Sequence, residues 1–238
     1  GHVLKAYAKD RQFGAALTGL VASGRAPSLC TATYLAAFPD LRLTVQAAVE
    51  GAAPMEAVES AREAGDFIRL LQEQPLEGLS QASHGHQLHE AARHAFLAGV
   101  VVPGLQGRLR ELIDRLGRCM PADGPLVPAH GDFHVDQLMV HDGSFTVIDF
   151  DGLCRAPAAL DVATYAADVV RGRGNDGDRI EAVLEPLLDG YRGVPDGLSW
   201  YLCTAVLCRA THPFRAQAAA WPDRIEAMVE SAEEALEP

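Results

Sequence analysis

The chain has 238 residues, of which 48% are hydrophobic and 22% charged. That is the balance of a soluble globular protein of one large or two small domains, not of a disordered, coiled-coil or collagen-like chain. Twenty Lys and Arg stand against 32 Asp and Glu, a net charge of −12; such a surface repels nucleic acid and anionic membrane unless it hides a basic patch, and no Lys/Arg run suggests one. The longest apolar stretch, Ala95 to Pro103, is broken by Gly99 and falls far short of the roughly 20 residues a membrane helix needs. No signal-peptide pattern opens the chain. The five cysteines are scattered without metal-ligand spacing, which points to reduced thiols in a cytoplasmic protein.

In chain order, Val3–Tyr7 is a short β-prone run and Asp10 is placed to cap a helix reaching about Ser23. Two strands are expected at Ser28–Ala37 and Leu41–Val49, paired antiparallel through the turn Phe38-Pro39-Asp40. From Pro54 the periodicity becomes helical, over Met55–Gln74 and Leu105–Leu116, with Gly78–Gly85 as a loop between. Strand signals return at Leu126–Ala129, Leu138–Val140 and Phe145–Ile148, the last two flanking the hairpin turn Asp142-Gly143-Ser144. After Ala158 the chain reads as helices broken at Gly172–Gly177, Gly193–Gly197 and Pro213. A small β-rich piece, 1–53, is thus expected to precede a larger, mostly helical one, 54–238.

The chemistry concentrates in His130-Gly131-Asp132-Phe133-His134-Val135-Asp136-Gln137 and Val147-Ile148-Asp149-Phe150-Asp151. Asp132 follows a strand in a loop, with the carboxamide of Gln137 five positions on, and the hairpin returns a second acid, Asp149, beside that loop. Two carboxylates and an amide oxygen converging in this way make a hard-oxygen site suited to Mg²⁺, with one carboxylate left over as a base. Protein kinases space a catalytic Asp, a metal-binding Asn and a downstream metal-binding Asp in the same manner.

These two motifs resemble those of the aminoglycoside phosphotransferase and choline kinase-like family, small-molecule kinases that share the protein-kinase fold. Further likenesses are Val3–Tyr7 to the strand bearing the nucleotide-phosphate lysine, Leu43–Gly51 to the adenine-contacting hinge, and Ala158–Ala163 to the segment after the metal motif. The resemblance implies an α+β, protein-kinase-like bilobal fold, with a partial β-rich nucleotide-binding N-lobe and a larger mainly helical C-lobe carrying a catalytic β-hairpin. It implies Asp132 as catalytic base, Asp149 and Gln137 as ligands of Mg²⁺, and Lys5 on the α- and β-phosphates of ATP or GTP. Asp151 is a weaker candidate for a supporting carboxylate. The implied reaction moves the γ-phosphate to a hydroxyl of a small molecule. The acidic surplus favours a cationic acceptor without excluding a neutral sugar, with Asp168, Glu181 and Glu185 as candidate lining groups.

The sequence departs from the family at three points. Gln137 stands where Asn is usual. The Gly-rich loop and first two strands would precede Lys5, where only Gly1 to Leu4 stand, and Asp10–Val21 offers no Glu to pair with Lys5. The alternative reading built on these departures is a catalytically weak, kinase-like binding protein. Blander readings serve elsewhere. His130 is expected to brace the loop, His134 to line the site, and Asp161 to fix the catalytic loop or cap its helix. Trp200 and Trp221 read as core. His84, His86, His89 and His94 lack Cys or carboxylate partners and suit a polar helix face better than zinc, and Arg171–Gly177 reads as an inter-helix turn.

Overall fold

The computed structural model describes residues 1–25, 29–54, 57–171 and 180–237. Strand β1 (His2–Ala6) and helix α1 (Asp10–Arg25) are followed by β2 (Tyr34–Phe38) and β3 (Leu43–Ala47). The three strands form an antiparallel sheet in the order β1-β3-β2, with Lys5 opposite Thr44. A 3-10 turn at Pro39–Leu41 joins β2 to β3, as the Phe38-Pro39-Asp40 signal suggested. The expected strand from Ser28 to Ala37 is shorter: only Tyr34–Phe38 is strand, and 26–28 lie outside the described residues. Its apolar start serves another partner. Cys30 O accepts from Val147 N at 2.8 Å, and Thr31 bridges Val147. This stretch therefore ties the sheet to the later hairpin.

Helices α2 (Ala61–Gln72), α3 (His84–Val101) and α4 (Gln106–Arg118) follow. The helix expected from Met55 starts later, after a 3-10 turn at Ala57–Ser60, and 55–56 lie outside the described residues. The loop expected to reach Gly85 ends sooner. Ser83 Oγ accepts from His86 N at 3.2 Å and starts α3, the N-cap arrangement that satisfies an otherwise orphaned amide. Strand β4 (Val127–Ala129), the hairpin β5 (Leu138–His141) and β6 (Ser144–Val147), and β7 (Cys154–Ala156) make the second β region. Strand β7, which pairs antiparallel with β4, has no distinct signal in the sequence.

The remainder is α5 (Ala159–Ala166), α6 (Ile180–Tyr191), α7 (Leu198–Arg209), α8 (His212–Arg215) and α9 (Trp221–Ala235). Pro213 lies in the first turn of α8, where its missing N–H costs nothing. Every residue of α5 is buried, and α7 is buried from Trp200 to Leu207. Helices apolar on all sides belong inside a core, and these two form its centre. Their polar tips are satisfied: Tyr165 OH donates to Ala57 O at 2.7 Å and Trp200 Nε1 to Leu116 O at 3.0 Å.

Helix α2 buries Ala61, Ala64, Gly65, Phe67, Ile68 and Leu71 on one face. It crosses α6 with backbones almost touching. A Cβ on Gly65 would fall 2.1 Å from Leu187 O, and one on Gly190 would fall 2.0 Å from Arg62 O. The clash is with backbone, so neither helix can yield by turning a rotamer. Gly190→Ala is expected to lower stability by about 1–3 kcal/mol, read as a lower urea midpoint with an unchanged m-value.

Candidate active site

The second β region brings the two acidic motifs together. Asp132 follows β4, and its loop is caught from behind by Asp161, a carboxylate only 1% exposed at the start of α5. Asp161 Oδ2 accepts from His130 N at 2.6 Å and Oδ1 from Gly131 N at 2.9 Å. Burial pushes the Asp161 carboxyl up, while His130 and these two amides pull it down. Gly131 has φ +83°, and a Cβ there would meet Gly152 O at 2.2 Å. Only glycine fits where the catalytic loop lies on the segment after Asp149.

Ile148 joins the two motifs through its backbone. Its N–H donates to Gln137 O at 2.9 Å, and its C=O accepts from His130 Nε2 at 3.0 Å. Asp149, the next residue, adopts φ +67°, a left-handed conformation uncommon for a residue with a side chain and tolerated best by Asn and Asp. The phenylalanine after each acid points inward: Phe133 is fully buried and Phe150 is 4% exposed. Phe133 stacks on Phe67 at 5.2 Å and packs on Tyr165 at 5.4 Å. His130 lies 5.4 Å from Phe133 and 5.0 Å from Phe150, centroid to centroid. Each phenylalanine directly follows an acid of its motif, the one signal in the sequence for this inward burial.

Lys5 on β1 reaches across to this platform. Its Nζ pairs with Asp149 Oδ1 and, at 2.9 Å, with Asp151 Oδ1, and it lies 5.6 Å from the centre of the Tyr7 ring. Burial alone would lower the Lys5 pKa, but its bonds to Asp149 and Asp151 outweigh that and raise it. Burial alone would raise the Asp149 carboxyl, yet its bonds to Lys5 and Asp151 hold it below the usual range. Asp151 is pushed up, first by burial and then, against Lys5, by the neighbouring Asp149 charge. The sequence makes Asp151 a weaker candidate for a supporting carboxylate, whereas the geometry brings it, like Asp149, onto Lys5.

On the other side of the loop the Asp132 side chain is 69% exposed, with Oδ2 3.9 Å from His134 Nε2. Gln137 Nε2 donates to His134 Nε2 at 3.2 Å, and His134 Nδ1 lies 3.7 Å from Asp136 Oδ2. Burial holds His134 below its ordinary pKa despite the pull of Asp168, Asp132 and Asp136. The bond to His134 occupies the amide nitrogen and leaves the amide oxygen of Gln137 as its remaining donor atom. Asp149 and Asp151, hard-oxygen donors brought together on Lys5, fit a divalent cation such as Mg²⁺; the Gln137 oxygen is of the same chemical kind, and its amide contacts His134. Lys5 already shows that the two carboxylates share one cation.

Other candidates fall outside the site. His84 is not part of a polar face: it is buried, 2.9 Å from Tyr201 OH, and edge-on to Trp200 at 5.7 Å. Among the described residues no group of three or more His, Cys, Asp or Glu is arranged to hold a metal, and no helix is long and apolar enough to cross a membrane. Cys154 is pushed up to about 12 by burial. The segment Gly172–Gly177 lies outside the described residues.

The phosphotransferase enzyme family model matches residues 11–201. The chain is 36% identical over 118 residues to a glucosamine kinase of Streptacidiphilus jiangxiensis, a match covering 38% of this chain and 27% of that relative. The chain thus spans about a quarter of the curated relative it matches. A solved glucosamine kinase in complex with glucosamine, ADP and inorganic phosphate superposes with a TM-score of 0.72 at 21% identity, over 99% of this chain and 72% of that one. A spectinomycin phosphotransferase in complex with ADP and spectinomycin gives 0.62 at 13% identity, over 100% and 82%. The chain belongs to the phosphotransferase enzyme family. Its fold is the protein-kinase-like one, a small β-containing N-lobe and a larger helical C-lobe.

The Lys5 cluster sets a pH dependence. The depressed Asp149 carboxyl contributes stability above its unfolded pKa, lost as pH falls through the folded value; the raised Lys5 amine contributes below about 10.5, lost as pH rises through its folded value. Both side chains are more than a third exposed, so solvent screening keeps the gain small. Lys5→Met is expected to lower stability by no more than about 1 kcal/mol near pH 7. In thermal melts, the gap from wild type should close in acid, as Asp149 becomes protonated.

Proposed function

We propose that this chain is a kinase that transfers the γ-phosphoryl group of ATP or GTP to a hydroxyl of a small molecule. Residues 1–53 serve as the nucleotide-binding lobe and 54–238 as the catalytic and acceptor-binding lobe. The observation that carries the reading is the Lys5–Asp149–Asp151 cluster, in which a lysine from the sheet meets two acids from the catalytic hairpin. Asp132 orients the acceptor hydroxyl and takes its proton, and its exposed carboxylate supports that role. Asp149 and the Gln137 amide oxygen would hold Mg²⁺, with Asp151 beside them, and Lys5 would meet the α- and β-phosphates. The bound ion would neutralise charge between the β- and γ-phosphates. Phosphoryl transfer asks for positioning and electrostatics more than covalent chemistry, and a loop tied down by Asp161 and Ile148 suits that demand. The names of the relatives, glucosamine kinase and spectinomycin phosphotransferase, support a polar, hydroxyl-bearing acceptor.

The test is ADP release from MgATP over a panel of hydroxyl compounds. Asp132→Asn is expected to lower kcat by roughly 10²–10⁴-fold while MgADP still raises Tm, and Asp149→Asn to abolish that rise. A second reading, a kinase-like binding protein, draws on Lys5 being engaged by Asp149 and Asp151 with no Glu along α1. It predicts that MgATP raises Tm without turnover of any acceptor.

A further inference from the structure

Asp132 opens onto a cleft of about 560 Å³ whose wall includes His134, Arg209, Thr211, His212 and Arg215. That volume lies within the roughly 300–1,000 Å³ of small-molecule sites. Its charge is not the acidic one the composition suggests. Among the described residues the lining has one carboxylate, Asp132 itself, with the guanidiniums of Arg209 and Arg215, the former backed by Asp168. The acids expected to line an acceptor pocket are absent from this wall. Asp168 is 3% exposed, accepts from Val135 N at 3.4 Å and lies 3.6 Å from Arg209 Nε. Glu181 and Glu185 are on the exposed face of α6.

The two arginines stand differently in the cleft. Arg209 is fixed: Nη1 donates to Ala205 O at 3.1 Å and Nη2 to Thr164 O at 2.9 Å, with Asp168 behind. Arg215 closes α8 and is exposed, and among the described residues no carboxylate pairs with it. A second layer holds the wall. His94 Nδ1 lies 3.2 Å from Thr211 Oγ1, and Arg93 Nη2 donates to His94 Nε2 at 3.1 Å. The charge of Arg93 is met by Glu90 at 2.7 Å. Among the described residues, therefore, Arg215 brings to the cleft a charge that no carboxylate pairs with. An acceptor bearing an ammonium would meet the like charge of Arg215 in this cleft, and a charge mismatch of this kind selects against a ligand.

We infer that the acceptor is a hydroxylated small molecule carrying an anionic group, a carboxylate or a phosphate, which docks on Arg215 while its hydroxyl meets Asp132. The inference rests on the kinase reading and narrows it. The acceptor oxygen bonds to the γ-phosphorus as the bond from that phosphorus to the β–γ bridging oxygen breaks. The hydroxyl proton passes to Asp132 and then to water, leaving ADP and a phosphate monoester. A guanidinium offers paired N–H donors that match either oxyanion.

The experiment measures ADP release from MgATP with four groups of acceptor: sugar acids such as gluconate and glucuronate, sugar monophosphates, neutral hexoses, and the cationic glucosamine and spectinomycin. One anionic group is expected to exceed the neutral and cationic groups in kcat/KM by about tenfold or more, and the two anionic arms decide between carboxylate and phosphate. Arg215→Glu is expected to raise KM for that acceptor by a similar factor, with Arg215→Gln intermediate, while MgADP affinity and Tm stay at wild-type values. Highest turnover with a neutral or cationic acceptor overturns the inference and leaves the kinase reading standing. So does an Arg215→Glu enzyme whose KM for MgATP rises as much as that for the acceptor, because the guanidinium would then serve the nucleotide. No ADP release with any group, together with no MgADP binding, overturns both.

Discussion

The site depends on one buried carboxylate. Asp161 sits at the start of a helix with no exposed face and accepts the amide protons of His130 and Gly131. Two consecutive backbone N–H groups turned toward one side chain fix the path of the chain immediately before Asp132. Buried and left without an acceptor, each would cost about 1–3 kcal/mol, so the loop geometry and the folding of the core are coupled. The loop that must expose a carboxylate to solvent is held from the side that never sees solvent.

The same division runs through both motifs. Asp132 and Asp149 face outward, and Phe133 and Phe150 face into an aromatic cluster with Phe67, Tyr165 and His130. Each motif is an acid held by the burial of its neighbour. The left-handed backbone at Asp149 and the close contact of Gly131 with Gly152 are tolerated because that burial and the Ile148 backbone bonds overdetermine the chain there. His134 extends the scheme to the longer side chain at position 137. By accepting from the amide nitrogen it fixes which end of Gln137 is free, a choice that a shorter side chain would need less.

What the sequence made legible was the part governed by local rules. The hairpin turn at Asp142-Gly143, the Pro39 turn, the long amphipathic helices and the spacing from Asp132 to Gln137 all appear where chain-local chemistry puts them. What it hid was set by partners far along the chain. The stretch before Tyr34 is apolar enough to read as strand, but it bonds to Val147 in the hairpin. Strand β7 is three residues held extended by partners far back in sequence, β4 on one side and the Ser80–Ala82 backbone on the other. Asp151 looked secondary because its importance comes from Lys5, far back in sequence. His84 read as polar surface because nothing nearby announces Tyr201 and Trp200. Net charge is silent on the acceptor, since a surplus of Asp and Glu over the whole surface says nothing about which sign lines a single cleft.

The position of Lys5 follows from simple electrostatics. Two carboxylates side by side repel unless a cation shares them, and helix α1 supplies no Glu to draw the lysine away. The Lys5 ammonium is a counter-charge within reach, and it settles between Asp149 and Asp151. A dication and a triphosphate arriving together would reverse the preference: the carboxylates gain the stronger cation and the lysine gains the phosphates. The lysine and the metal then compete for one pair of acids, and the nucleotide's own negative charge relieves the competition. On the kinase reading proposed above, such an arrangement would link metal entry to nucleotide entry without a helix Glu, because neither charge would be placed well until the other had moved.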